Sequence, residues 1–133
     1  MAELITKHIT KQFDNRTIIQ DISIELHDHE IVSLLGVSGS GKTTLFNIIS
    51  GLLKPEEGQV LLNGTDITGQ AGMISYMLQK DLLLPYRTIE DNVSLPLIIK
   101  GTKKKAARKM VRPYFEEFGL SGTEKKYPSQ LSG

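Results

Sequence analysis

Eight consecutive residues, Gly36-Val37-Ser38-Gly39-Ser40-Gly41-Lys42-Thr43, fit the pattern G-x-x-x-x-G-K-[ST]. The pattern carries weight only between a strand and a helix, and both flanks agree with it. Ile31-Val32-Ser33-Leu34-Leu35 is a short, almost continuous apolar run, which predicts a strand buried on both faces of a parallel sheet. Leu45, Ile48, Ile49 and Leu52 then recur at helical spacing, with Gly51 and Pro55 as a stop. A strand, a glycine-rich loop and a helix in this order predict an α/β fold that binds the phosphates of a nucleotide.

The residue types follow from the charge to be held. Glycines at 36, 39 and 41 let the backbone curl and turn its N–H groups inward, an anion-binding concavity at the positive end of a helix. Lys42 adds a point charge within reach of the β- and γ-phosphates, and the Thr43 hydroxyl can ligate the accompanying Mg²⁺. Thr44 can donate to the α-phosphate.

Composition narrows the remaining choices. The chain has 133 residues, no Cys and a formal net charge of +1, which suits one soluble domain with a core of its own. Without Cys there are no disulfides or thiolate metal sites, in keeping with a reducing cytosol. The start lacks the regions of a signal peptide, and no run of 18 apolar residues occurs, so any membrane contact is expected through partners. So small a net charge gives no support to nucleic acid as the main partner.

Residues 3–30 read as antiparallel strands, with Ile22, Ile24 and Leu26 alternating with polar residues and Asp14-Asn15-Arg16 as the turn. Phe13 stands just before that turn, placed either to stack on a base or to pack on the sheet. His27 and His29 share one face if the strand continues, but no third or fourth metal ligand lies nearby in sequence. Gln59–Leu62, Asn63-Gly64 and Thr65–Ile67 predict a hairpin. Met73–Leu78 is apolar enough for a second core strand, which places Gln79 at a carboxyl end beside the glycine loop, as a candidate for the Mg²⁺ or the attacking water.

Leu82-Leu83-Leu84-Pro85-Tyr86 is unusually apolar for a connection and predicts a folded-back lid or a contact surface for another chain. Thr88-Ile89-Glu90-Asp91 reads as a capping box opening a helix toward Ile99, bent at Pro96. A further helix from Lys103 places Ala107, Met110, Val111, Tyr114, Phe115 and Phe118 on one face, with a kink at Pro113 and a stop at Gly119. Lys103, Lys104, Lys105, Arg108, Lys109 and Arg112 then form a solvated basic face, with anionic lipid headgroups as the lesser alternative.

The chain ends Leu131-Ser132-Gly133. Phe13 before the first turn, the Walker A loop Gly36–Thr43, Gln79, a helical insert and this Leu-Ser-Gly together resemble the ATP-binding subunit of an ABC transporter, whose signature is Leu-Ser-Gly-Gly-Gln. The likeness covers the whole chain, while the chain covers the first half of the family's domain. It implies a P-loop NTPase of the ABC ATPase type. Residues 1–30 and 58–70 would form an antiparallel β region, 31–57 and 71–79 part of the parallel nucleotide-binding core, and 88–133 part of the helical subdomain. The resemblance further implies that Phe13 stacks on adenine, that Gly36, Val37, Ser38, Gly39, Ser40, Gly41, Lys42, Thr43 and Thr44 wrap the phosphates of ATP, and that Thr43 and Gln79 hold Mg²⁺. Gln79 would sense the γ-phosphate, Ser132 and Gly133 would touch the ATP of a second ATP-binding subunit, and Leu82–Tyr86 would face membrane-spanning permease subunits at the inner face of the cell membrane.

The family's Walker B aspartate, catalytic glutamate, D-loop and switch histidine all follow the signature and so lie outside these 133 residues. The expectation is therefore a truncated chain that binds nucleotide, turns over almost none, and self-associates through unpaired strand edges. Two alternatives belong to other classes: a P-loop kinase of small metabolites, and a non-catalytic module whose partner binding depends on nucleotide. The run Leu78–Leu97 is more similar to importers of the nitrate, sulfonate and pyrimidine-precursor group than to exporters.

Overall fold

A computed structural model describes residues 2–132 of the chain. It divides into two compact units, one reaching Met77 and the other starting at Leu78.

The first unit is built on two long strands, β1 (Glu3–Phe13) and β2 (Arg16–His27), paired antiparallel from Glu3↔His27 to Phe13↔Arg16. Asp14 and Asn15 close the hairpin with φ of 48° and 61°, the left-handed pair that matches the twist of the strands. Helix α1 (Lys42–Ile49) comes next, then β3 (Glu57–Leu62) and a short β4 (Thr65–Asp66), joined by Asn63 and Gly64 in the same kind of turn. The sheet order is β2-β1-β3-β4, antiparallel throughout. Ile9, Ile19, Val60 and Ile67 from the sheet side meet Leu45 and Ile48 from α1 in one buried cluster. Each such side chain contributes on the order of 1.5–3 kcal/mol by leaving water, which fixes α1, and the loop that leads into it, against the sheet.

The two predicted core strands are not formed. Ile31–Leu35 and Met73–Leu78 have no strand structure, and Ile31, Leu35 and Met77 are 95%, 90% and 93% exposed. A parallel strand exists only where a neighbouring strand pairs with its N–H and C=O groups. All four strands among the described residues belong to the antiparallel sheet, so neither segment has a neighbour to pair with. Leu34 and Ile74 still pack against the buried cluster. Leu52, assigned by its spacing to the helix, lies past the end of α1 and is exposed.

The second unit is a helix pair, α2 (Ile89–Ile99) and α3 (Lys104–Glu117), followed by a 3-10 turn at Pro128–Gln130. Both helices run through their internal prolines, Pro96 and Pro113. Thr88 caps α2 by accepting the Asp91 N–H at 3.2 Å. The expected capping box is half of one, because the Asp91 carboxylate turns away from Thr88 to Arg108. The N–H groups of Ile89 and Glu90, which no helix carbonyl can satisfy, donate to the carbonyls of Lys126 and Glu124 at 2.8 and 2.9 Å.

The face predicted for α3 is narrower in fact. Ala107, Val111 and Phe115 are buried, and Val111 and Phe115 join Ile89 in a core that Leu97 and Leu131 flank. Met110, Tyr114 and Phe118, one position round, are exposed. A single partner helix covers one ridge of α3, not a broad sector. The basic face is corrected as well: Lys104, Arg108 and Arg112 form a ridge that meets Asp91 and the buried Glu90, leaving Lys103, Lys105 and Lys109 to solvent.

Candidate nucleotide-binding loop

The glycine loop runs from Gly36 into α1 and rests on β2. Gly41 is the N-cap of α1 at φ 94°, and a Cβ there would sit 3.1 Å from both the Ile18 carbonyl oxygen and Ile19 Cγ1. Only glycine joins that conformation to so close an approach. Because the cap has no side chain, no side-chain oxygen takes up the first N–H groups of α1, and the first turn carries no acidic residue. The positive end of the helix is thus left to an external anion.

Lys42 closes the loop on itself. Its Nζ donates to the carbonyls of Gly36 at 2.6 Å and Val37 at 2.7 Å and lies 3.2 Å from Ser40 Oγ. Ser40 N–H donates to the Val37 carbonyl at 3.2 Å, completing a turn inside the loop. The ammonium is therefore held over the loop by two carbonyls and a hydroxyl, with none of these partners a carboxylate to cancel its charge. Thr43 is exposed and Thr44 half-buried on the first turn of α1. The donor set, backbone N–H groups with one ammonium and two hydroxyls, fits a phosphate chain, and a hydroxyl such as that of Thr43 suits a hard Mg²⁺.

Phe13 ends β1, 44% exposed, with Lys11 Nζ 5.1 Å from its ring centroid. Lys11 is itself nearly buried and pairs with Glu56 at 2.7 Å. The Lys11 hydrogen bond, and behind it the Gln12 N–H at 2.8 Å, hold the Glu56 carboxyl below the usual carboxylate range. Phe13 is thus neither packed in the core nor bare. Lys11 escaped the sequence reading because nothing in a polar stretch marks a buried lysine.

Gln79 and Leu82–Tyr86 belong to the second unit. Gln79 is exposed; Leu82 and Tyr86 are exposed too, while Leu84 is half-buried. Ser132 is exposed and follows Leu131, which packs on the α2–α3 core; Gly133 lies outside the described residues. The two histidines do not share a strand face: β2 ends at His27, and His29 sits in a turn at φ 62°. Among the described residues no three His, Asp or Glu are grouped to hold a metal, and no helix is long and apolar enough to cross a membrane.

A profile described as ABC transporter matches residues 19–133. The chain belongs to the ABC transporter family. It is 40% identical to an uncharacterized ABC transporter ATP-binding protein, YtlC, of Bacillus subtilis, over all of this chain and 53% of that protein. It is 46% identical to the formylaminopyrimidine import ATP-binding protein ThiZ of Halalkalibacterium halodurans, over 87% of this chain and 44% of that one. It thus spans about half the length of the curated relatives it matches. Among solved structures, a nucleotide-free ATP-binding cassette from an ABC transporter superposes with a TM-score of 0.85 at 25% identity, over 99% of this chain and 60% of that one. A dimeric cassette in a post-hydrolysis state, bound to ADP and Pi, superposes at 0.79 with 28% identity, over 97% and 63%. The fold is that of part of an ABC ATPase cassette, and family membership over residues 19–133 leaves no place for the small-molecule kinase alternative.

Proposed function

We propose that this chain is the nucleotide-binding portion of the energy-coupling subunit of an ABC importer, and that Gly36–Thr44 hold Mg-ATP. The observation that carries the reading is the Lys42 ammonium, fixed over its own loop by Gly36, Val37 and Ser40 at an uncapped helix start. A triphosphate entering there draws the ammonium from these three loop acceptors to its own oxygens, exchanging neutral acceptors for anionic ones. Lys42 would neutralise the β- and γ-phosphates, Thr43 would hold the Mg²⁺, Thr44 would donate to the α-phosphate, and Phe13 would stack on adenine. The metal, when bound, supplies further neutralisation of charge on the transferring phosphoryl group.

The relative named for formylaminopyrimidine import supports import as the direction and a pyrimidine precursor as the cargo. The dimeric cassette bound to ADP and Pi supports a second ATP-binding subunit, whose nucleotide Ser132 and Gly133 would touch. Leu82–Tyr86 meet the membrane-spanning subunits at the inner face of the cell membrane. Taken alone, the 133 residues are expected to bind nucleotide without turnover; among the described residues no carboxylate pairs with Lys42 or lies in the first turn of α1, in keeping with a loop that binds and does not itself activate a water.

Phosphate release from Mg-ATP tests this. The chain by itself is expected to stay below about 0.1 s⁻¹, under the range usual for enzymes, whereas the same chain extended to the length of its relatives turns over and loses activity on Lys42→Ala. Turnover by the 133 residues alone, abolished by Lys42→Ala, would overturn the silent reading of the fragment.

A further inference from the structure

One carboxamide shapes the leucine loop. Asn92, in the second turn of α2, accepts the Leu84 N–H on Oδ1 at 2.7 Å and donates from Nδ2 to the Leu84 carbonyl at 3.1 Å. Nδ2 also reaches the carbonyls of Arg87 at 3.2 Å and Thr88 at 3.1 Å. Leu84 to Arg87 is a β-turn closed by Arg87 N–H to Leu84 O at 3.1 Å, with Pro85 at the second position, where its fixed φ belongs. Asn92 therefore grips Leu84 on both sides of its Cα, as a neighbouring strand would, and closes the far end of the turn as well.

Little else fastens this segment. The hydrogen bond within its first half runs from Leu83 N–H to Asp81 Oδ1 at 3.3 Å, and Leu82 and Tyr86 stand 69% and 74% exposed. Two large apolar side chains held out in water would otherwise turn inward onto their own neighbours. Asn92 is not in place for the sake of the helix: the cap is made by Thr88 and the lateral tie by Asp91 with Arg108. Asparagine is also a poor helix former, because its side chain competes for backbone groups, and here its two amide N–H groups are shared among three carbonyls, of which those of Leu84 and Arg87 lie outside the helix ladder, while Oδ1 takes the Leu84 N–H.

We propose that Asn92 is a positioning residue, which pre-shapes Leu82–Tyr86 so that Leu82 and Tyr86 project toward a membrane-spanning partner subunit. This rests on the reading of that loop as the partner contact. A loop ordered in advance spares the partner the entropy of ordering it, and freeing one or two residues costs on the order of tenfold or more in affinity.

The test has two arms. In the first, amide exchange followed by NMR compares the chain with Asn92→Ala and Asn92→Asp. Asn92→Ala is expected to speed exchange at Leu84 and Arg87 by about tenfold or more while the α2 amides from Ser94 to Ile99 keep their protection. In Asn92→Asp a carboxylate faces three carbonyls, so the loop loosens at neutral pH and tightens again toward pH ~5, once that carboxyl is protonated and can donate. A residue that merely held up α2 would show no such profile. In the second arm, binding of the chain to nanodiscs carrying an ABC importer's membrane-spanning subunits is measured. Asn92→Ala is expected to weaken binding about tenfold, and Leu82→Ser with Tyr86→Ala at least as much. Unchanged Leu84 exchange in Asn92→Ala, or unchanged binding where the double variant weakens it, overturns the role of Asn92. If the double variant itself binds normally, the partner-contact reading falls and takes the proposal with it.

Discussion

Arg108 grips Asp91 with both arms, Nε to Oδ1 at 2.7 Å and Nη2 to Oδ2 at 2.9 Å, and so ties the middle of α3 to the first turn of α2. The fork geometry suits arginine alone among the cations. Arg108→Lys keeps the charge and loses the fork. We expect it to destabilise the helix pair by about 1 kcal/mol, and Arg108→Ala by about 1–3 kcal/mol, since a mostly buried carboxylate is then left without its main partner. Urea titration followed by helix circular dichroism measures both.

The same pair sets a pH dependence. Burial raises the Asp91 carboxyl, but Arg108 and then Lys104 outweigh it and hold the group below the ordinary range. The folded form therefore gives up its proton more readily than the unfolded one. Stability from this group is complete above the unfolded value of about 3.9 and drains away as pH falls through the lower folded value. The urea midpoint is expected to fall between about pH 5 and pH 3, and the fall to shrink in Asp91→Asn. An equal fall in that variant would assign the loss to other carboxylates.

The two aromatic positions of α3 separate burial from spacing. Phe115 is buried at 2% exposure and Phe118 is 69% exposed, although both satisfy the helical period. Phe115→Ala is expected to cost about 3–5 kcal/mol, Phe118→Ala within about 0.5 kcal/mol. Chemical denaturation of the two variants side by side decides it.

Ile31–Leu35 and Met73–Leu78 leave large apolar side chains in water. Self-association that grows with concentration is expected in light scattering, and Ile31→Lys with Met77→Lys should suppress it. A sharp monomeric peak for the unaltered chain at high concentration would contradict this.

Much of the local structure was legible because it depends on near neighbours. Asn63-Gly64 announced its hairpin, Thr88 its cap, and Gly41-Lys42 the start of α1, each through a φ angle or a donor within a few residues. What failed depends on distant partners. Ile31–Leu35 has the composition of a buried strand, but pairing is a property of two segments, and the second is not among the four strands of the described residues. The role of Asn92 lies in three contacts to the preceding loop and one to its own N-cap, and its one sequence trace is a poor helix former inside a helix.

The central claim is that the backbone loop and Lys42 grip a Mg²⁺-bound triphosphate. Isothermal titration of Mg-ATP into the chain and into Lys42→Ala tests it most directly. The account predicts binding heat in the first that is lost or weakened at least about tenfold in the second, the scale of one charge-assisted contact. Equal heats, or none in either at millimolar ligand, would contradict it.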